Sequence, residues 1–175
     1  MGKFNDKQIK DIIDTIIILV DSRERGLPNH ITKAFDKYNI NWEVKKLNSG
    51  DYSARIPVNE ELGILEEINL EDILCIERKM SSDELSQNIS KNRDRFHREF
   101  KRSKAKIILL IEEDTYEGIA LEKYRSKLTA KQYLGALHGF TDEHDSPFIF
   151  ISRKSSALYI YNVFKYRFRN IIKII

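Results

Sequence analysis

Carboxylates recur in three short clusters of this sequence: Asp21-Ser22-Arg23-Glu24, Gly50-Asp51-Tyr52, and Glu77-Arg78-Lys79, with Asp83 following the last. Side chains of an extended chain alternate with period 2, so Glu77 and Lys79 share one face. A carboxylate and an ammonium side by side there, with Asp51 from a neighbouring strand, form an acidic pocket with one cation. Hard oxygen ligands of that kind suit Mg²⁺ or Mn²⁺. The lysine can orient a water or offset charge on a phosphate oxygen. Taken singly, Glu-Arg-Lys is an ordinary solvated charge run and Gly-Asp an ordinary turn. Taken together, each cluster sits at the end of an apolar strand, and acidic groups at such ends are ready to converge.

The elements that must position these clusters are legible in outline. Residues 6 to 13 fit a short leading helix. Ile16 to Val20 is a continuous apolar run, the pattern of a buried strand. Asn29 is placed to cap a helix running to about Tyr38, with Ile31, Ala34, Phe35 and Tyr38 on its inner face. Trp42 to Leu47, Tyr52 to Ile56 and Ile73 to Arg78 read as strands, with Pro57 to Asp72 a polar connection. Helices are expected over Ser82 to Ser90, Arg93 to Ser103 and Thr129 to Phe140, and from Ser155 to the end. Ile107 to Ile111 and Phe148 to Ile151 complete the strands. Strands and helices mixed on this spacing predict an α/β layer fold with one central sheet.

Composition narrows the class. The 175 residues suit one domain, residues 1–175, with 1–15 as a leading segment. Hydrophobic residues at 41% and charged residues at 33% exclude a membrane-embedded chain and disfavour global disorder. The one cysteine, Cys75, forms no internal disulfide and reads as a small core residue. The apolar run at Ile16 ends at Asp21, too short for a signal peptide or a spanning helix, which needs about 20 apolar residues. A cytoplasmic, reduced setting is expected.

Net charge is only +3, but its distribution is uneven. Lys91, Arg95, Arg98 and Arg102 fall on one stripe if the helix is unbroken, with Phe96 and Phe100 on the opposite, core-facing side. Basic density directly after the acidic cluster favours phosphate contacts over a bland solvated face. The four histidines, His30, His97, His138 and His144, share no metal-ligand spacing. His30 reads as a helix-start residue, His97 as a surface residue, His138 as a core or groove residue and Trp42 as a core aromatic. From Ser155 to Ile175 the apolar stripe (Ala157, Tyr161, Phe164, Phe168, Ile171, Ile175) is widened by Tyr159, Val163, Tyr166, Ile172 and Ile174. That exceeds what one core contact needs.

Val20-Asp21-Ser22-Arg23-Glu24, Gly50-Asp51-Tyr52 and Glu77-Arg78-Lys79-Met80-Ser81-Ser82-Asp83 resemble the nuclease-domain signature of the XPF family of structure-specific DNA endonucleases. That family is a branch of the restriction-endonuclease-like PD-(D/E)xK superfamily. The resemblance runs from about Ile16 to about Tyr166. A following family segment usually reads Gly-Arg, two variable residues, then Gln; here Asp94 replaces the Gly and Glu99 the Gln. The resemblance implies a central mixed β-sheet flanked by helices and a Mg²⁺- or Mn²⁺-dependent endodeoxyribonuclease acting on branched, flap or fork DNA.

On that reading Asp51 and Glu77 bind the ion. Asp21 and Glu24 complete the site, either as direct or water-bridged ligands or by holding Lys79 and Arg23. Lys79 positions the attacking water. Arg78 is structural by alternation, although its carbonyl can reach the metal, and Asp83 caps the next helix and anchors the pocket. Family nuclease domains commonly pair through their C-terminal elements, which with the apolar width predicts a homodimer through residues 155–175. No helix-hairpin-helix or helicase domain is expected within the chain, which fits a stand-alone module of phage or mobile-element type. The rivals are a non-catalytic DNA-binding scaffold of the same fold and a restriction- or resolvase-type nuclease. The intact Asp51, Glu77 and Lys79 argue against the scaffold.

Overall fold

A computed structural model describes residues 4–23 and 28–175. A seven-stranded mixed sheet runs through the centre in the order β2-β1-β3-β5-β6-β7, with the short β4 against β3. Its strands are β1 (Ile17–Asp21), β2 (Asn41–Lys45), β3 (Tyr52–Ile56), β4 (Ile68–Asn69), β5 (Leu74–Lys79), β6 (Lys106–Glu112) and β7 (Phe148–Ile151). The helices are α1 (Asp6–Ile13), α2 (Asn29–Lys37), α3 (Ser82–Ile89), α4 (Arg93–Arg102), α5 (Tyr116–Ala120), α6 (Ala130–Glu143) and α7 (Ser156–Ile172). The expected α/β fold with one helix-flanked mixed sheet is what forms. No described helix is long and apolar enough to cross a membrane.

Period-2 alternation splits the apolar strands between two cores. Leu110 joins Ile18, Val20, Tyr52 and Ile76 in a core that α1, α2 and α7 cover. Ile107, Leu109 and Ile111 join Leu85, Phe96, Phe100, Tyr133 and Phe140 under α3, α4 and α6. This is why β6 is apolar on both sides. Phe96 stacks on Phe140 with centroids 4.5 Å apart, and Phe100 meets the same ring edge-on at 4.7 Å. That aromatic knot seats α4 against α6.

Strand direction brings the three clusters together. β3 runs antiparallel to both β1 and β5, pairing Val20 with Tyr52 and Tyr52 with Ile76. The start of β3 therefore adjoins the ends of β1 and β5. The Asp21 amide donates to the Asp51 carbonyl at 2.8 Å, and the Asp51 amide to the Ile76 carbonyl at 2.8 Å.

Several expectations change. α2 starts at Asn29, with Pro28 at the cap position and no side-chain capping bond. Tyr38, beyond that helix, is 45% exposed. Trp42 lies half-buried on the edge strand β2 and donates to Asp36 at 2.8 Å, because an edge strand has only one side to cover it. Of the two readings of His138 the groove holds and the core does not: it is exposed, lines a shallow groove with Lys106 and Phe148, and meets the Tyr116 hydroxyl at 3.1 Å. The chain turns at Ser90 (φ −120°, ψ −87°), so Lys91 precedes α4 and leaves the basic stripe.

The C-terminal helix also packs differently. Its buried line is Ala157, Ile160, Phe164, Phe168 and Ile172. Ile172, outside the core stripe that the sequence predicts, is fully buried, and Tyr159 and Val163 pack against the same core. Its breadth is needed because it contacts both α1 and α2 as well as β3. Leu158, Tyr166, Ile174 and Ile175 remain exposed.

Candidate active site

Gly50 allows the first close approach. Its φ is +68°, and a Cβ there would stand 2.8 Å from Cys75 Cβ and 3.0 Å from the Ile76 carbonyl oxygen. Glycine reaches that conformation without steric cost, and no side chain fits between the turn and β5. Asp51 follows directly and accepts the Arg78 amide through Oδ2 at 2.7 Å. The carboxylate is thereby fixed across the top of β5. Cys75 is buried, and burial pushes its thiol up to about 12, so it acts as a small packing residue.

A cavity of about 480 Å³ opens over these strand ends, lined by Asp21, Asp51, Glu77, Lys79 and Glu84 on one side and Arg95 and Arg102 of α4 on another. Glu77 Oε1 accepts from Lys79 Nζ at 2.6 Å, and Glu84 Oε1 lies 3.9 Å from the same ammonium. Lys79 is only 8% exposed, and its ammonium lies 5.1 Å from the Phe96 ring centroid. Burial by itself would lower its pKa, but the Glu77 and Asp51 carboxylates outweigh that and raise it. Lys79 is therefore a fixed cation at neutral pH and not a proton acceptor.

The predicted residues do not all stand alike. Asp21 is buried; Oδ2 accepts from Arg23 Nε at 2.8 Å and Oδ1 from the Leu47 amide at 3.1 Å. Arg23 also donates to the Leu47 carbonyl at 2.7 Å. This pair ties the end of β1 to the loop after β2. Glu24 lies outside the described residues. Arg78 turns to the other side of the sheet, as alternation requires, and pairs with Glu112 at 2.9 Å. Asp83 does not cap α3; the Ser81 hydroxyl does, accepting the Glu84 amide at 3.3 Å. Asp83 instead accepts the Arg125 amide at 2.7 Å and anchors the segment after α5. Arg98 of α4 is exposed. Lys91 lines a separate groove of about 730 Å³ with Arg125 and Lys127.

Three polar cavity residues lie outside the motifs named from the sequence: Glu84, Asn48 and Ser49. Glu84 was visible only as a first-turn acid of α3. Asn48 lies in the turn before Gly50. Glu99, at the family's Gln position, does reach the cavity and holds Arg95 at 2.9 Å.

For a metal the cavity offers Asp51 and Glu77 beside Lys79. Among the described residues, three His or carboxylate ligand atoms lie within 4.8 Å of one another only at His97, Glu143 and His144, away from this cavity. Two carboxylates without a closed cage fit Mg²⁺, which keeps several waters and substrate oxygens in its shell.

A mixed sheet with carboxylates and a lysine converging at antiparallel strand ends defines an α/β protein with an acidic strand-end site. The chain matches the ERCC4 domain over residues 20–163 and belongs to that family. It is similar in structure to XPF from Aeropyrum pernix, with 16% identity, a TM-score of 0.61, and 86% of this chain covering 61% of that one. It is likewise similar to XPF from Aeropyrum pernix in complex with DNA, with 16% identity, a TM-score of 0.62, and 88% of this chain covering 66% of that one. The chain thus spans less than two thirds of each of those proteins. Comparison with curated proteins gives no match.

Proposed function

We propose that this chain is a metal-dependent DNA endonuclease that hydrolyses phosphodiester bonds in branched, flap or fork DNA, in the cytoplasm, with Mg²⁺ or Mn²⁺. The observation that carries this reading is Lys79, held as a buried ammonium between carboxylates in an open cavity faced by Arg95 and Arg102. Asp51 and Glu77 would hold the ion. Once bound, the ion supplies Lewis acidity toward a phosphate oxygen and acidifies water.

The chain's own groups do the rest. Lys79 donates to the attacking water or to a phosphate oxygen and offsets the charge that grows as water adds to phosphorus and the ester oxygen departs. Glu77 and Glu84 fix where that ammonium points. Asp21 we assign to holding Arg23 and the loop at Leu47, since both its oxygens are engaged. Arg95 and Arg102 would seat the DNA backbone by phosphate contacts that position without reading sequence.

The test is incubation with Mg²⁺ or Mn²⁺ and a panel of duplex, flap, fork, junction and single-stranded DNA. Cleavage confined to branched substrates supports the reading. Binding without cleavage under every condition favours a scaffold, and cutting of plain duplex at one sequence favours a restriction-type enzyme.

The homodimer is part of the same proposal, now resting on Leu158, Tyr166, Ile174 and Ile175, since Ile172 is buried. Tyr166→Glu with Ile174→Glu should give a monomer by light scattering without unfolding; a wild-type monomer at micromolar concentration removes the proposal.

A further inference from the structure

The aromatic knot between α4 and α6 carries a second set of ligand-type atoms at its rim. His97 of α4 and His144, at the C-terminal cap of α6, are 47 positions apart, so no spacing rule connects them. Folding sets His144 Nε2 2.9 Å from His97 Nδ1. Glu143 Oε2 lies 3.4 Å from the same His97 nitrogen. In a tetrahedral zinc site with ligands at roughly 2.0–2.1 Å from the ion, neighbouring ligand atoms stand about 3.3–3.4 Å apart. The 3.4 Å spacing equals that edge, the 2.9 Å hydrogen bond between the two rings must open by about 0.4 Å to admit an ion, and all three ligand atoms lie within 4.8 Å of one another.

The rings are already held. The His144 ring packs at 4.6 Å from Phe140 and 5.5 Å from Phe100, and His97 at 4.9 Å from Phe140. Their orientation is thus set by the core and not by an ion, so little ordering entropy opposes binding. Lys101 Nζ holds Glu143 Oε1 at 3.0 Å, which aims Oε2 toward the histidines.

We propose that His97, Glu143 and His144 bind Zn²⁺, with water as fourth ligand, at a site distinct from the catalytic cavity. Imidazole nitrogens with one carboxylate are a set that zinc favours. The ion clips α4 to the end of α6. Because α4 also carries Arg95 and Arg102, the clip stiffens the basic wall of the cavity. Binding through Nδ1 puts the His97 proton on Nε2. Arg93 Nε, now 3.3 Å from that Nε2, must then move away, and Arg93 is exposed enough to do so. Removing Arg93 should therefore strengthen the site.

The experiment uses the full chain with Asp51→Asn and Glu77→Gln, so that the two carboxylates proposed to hold the catalytic ion do not report. Titration with Zn²⁺ by calorimetry, and with Co²⁺ by visible absorption, should show one equivalent in a tetrahedral field. His144→Gln added to that background should weaken it by more than about tenfold, the lower range for loss of even an outer partner. Arg93→Ala should tighten it. Circular dichroism checks that each variant folds, and Glu143→Gln substitutes if His144→Gln does not. No equivalent in the carboxylate-neutralised chain, or an unchanged affinity in the folded ligand variant, overturns the proposal.

Discussion

The two faces of β5 put three consecutive charged residues to opposite uses. On one face Glu77 and Lys79 look into an open cavity shared with Asp51, Glu84, Arg95 and Arg102. On the other, Arg78 is sealed against Glu112, which is fully buried and also meets His30 Nε2 at 2.9 Å. The sealed face has charges that answer one another, and removing either leaves an uncompensated ion in the core. The open face gathers several carboxylates around one ammonium. Its charges are also paired, but around a solvent-filled space that can admit a ligand, which separates a ligand-binding face from a structural one.

The largest expected effect tests the open face. Glu77→Ala should reduce cleavage of a branched substrate to background with Mg²⁺ or Mn²⁺ while thermal unfolding stays near wild type. Asp51→Ala should do the same to cleavage. It should also cost about 1.5–3 kcal/mol of stability, because the Arg78 amide loses a charged acceptor. Unfolding as severe in Glu77→Ala as on the sealed face would erase the distinction.

The sealed face should respond in reverse. Arg78→Ala should cost about 3–5 kcal/mol in denaturant unfolding, the range for breaking a buried pair, with cleavage falling only as the folded fraction falls. Arg78→Met combined with Glu112→Leu should recover much of that loss, since a packed apolar pair replaces both ions. Cleavage lost without loss of stability would mean that Arg78 serves the cavity.

Lys79→Ala comes next in size. It should lower turnover by about 10²–10³, the usual cost of one preorganised charge contact, with a smaller change in calorimetric metal affinity. Equal losses in both would make Lys79 a clamp for the carboxylates.

Which of these roles could be seen in the sequence follows from how local their cause is. Glu77, Arg78 and Lys79 were separable because alternation along a strand needs no partner to be known. Asp51 was legible because a Gly-Asp turn between apolar strands must come near its neighbours. Glu112, the partner of Arg78, was invisible: it ends an apolar strand and becomes an ion-pair member only through the pairing of β5 with β6. Ile172 looked like surplus apolar area because the contact between α1 and α7 joins opposite ends of the chain. Helical periodicity puts Lys91 on the basic stripe, and a single turn at Ser90 removes it. His97 and His144 meet only through the aromatic knot. Glu24 lies outside the described residues, so its role rests on the sequence alone.

The smallest effect concerns acid and the sealed face. Burial by itself would raise the pKa of Glu112, but hydrogen bonds from Arg78, Ser156 and His30 outweigh it, and the carboxyl is held below its ordinary value of 4.5. A depressed folded pKa means that the unfolded chain takes up the proton first. The stabilisation from Glu112 is therefore fully present above about pH 5 and drains away as pH falls through 4.5 toward the folded value. Glu112→Gln removes that titration while keeping the shape of the side chain. The stability gap between wild type and Glu112→Gln, read from urea unfolding, should be widest near pH 6–7 and narrow steadily below about pH 4.5. A gap that stays constant below about pH 4.5 would show that the ionised Glu112 carboxylate does not stabilise the sealed face.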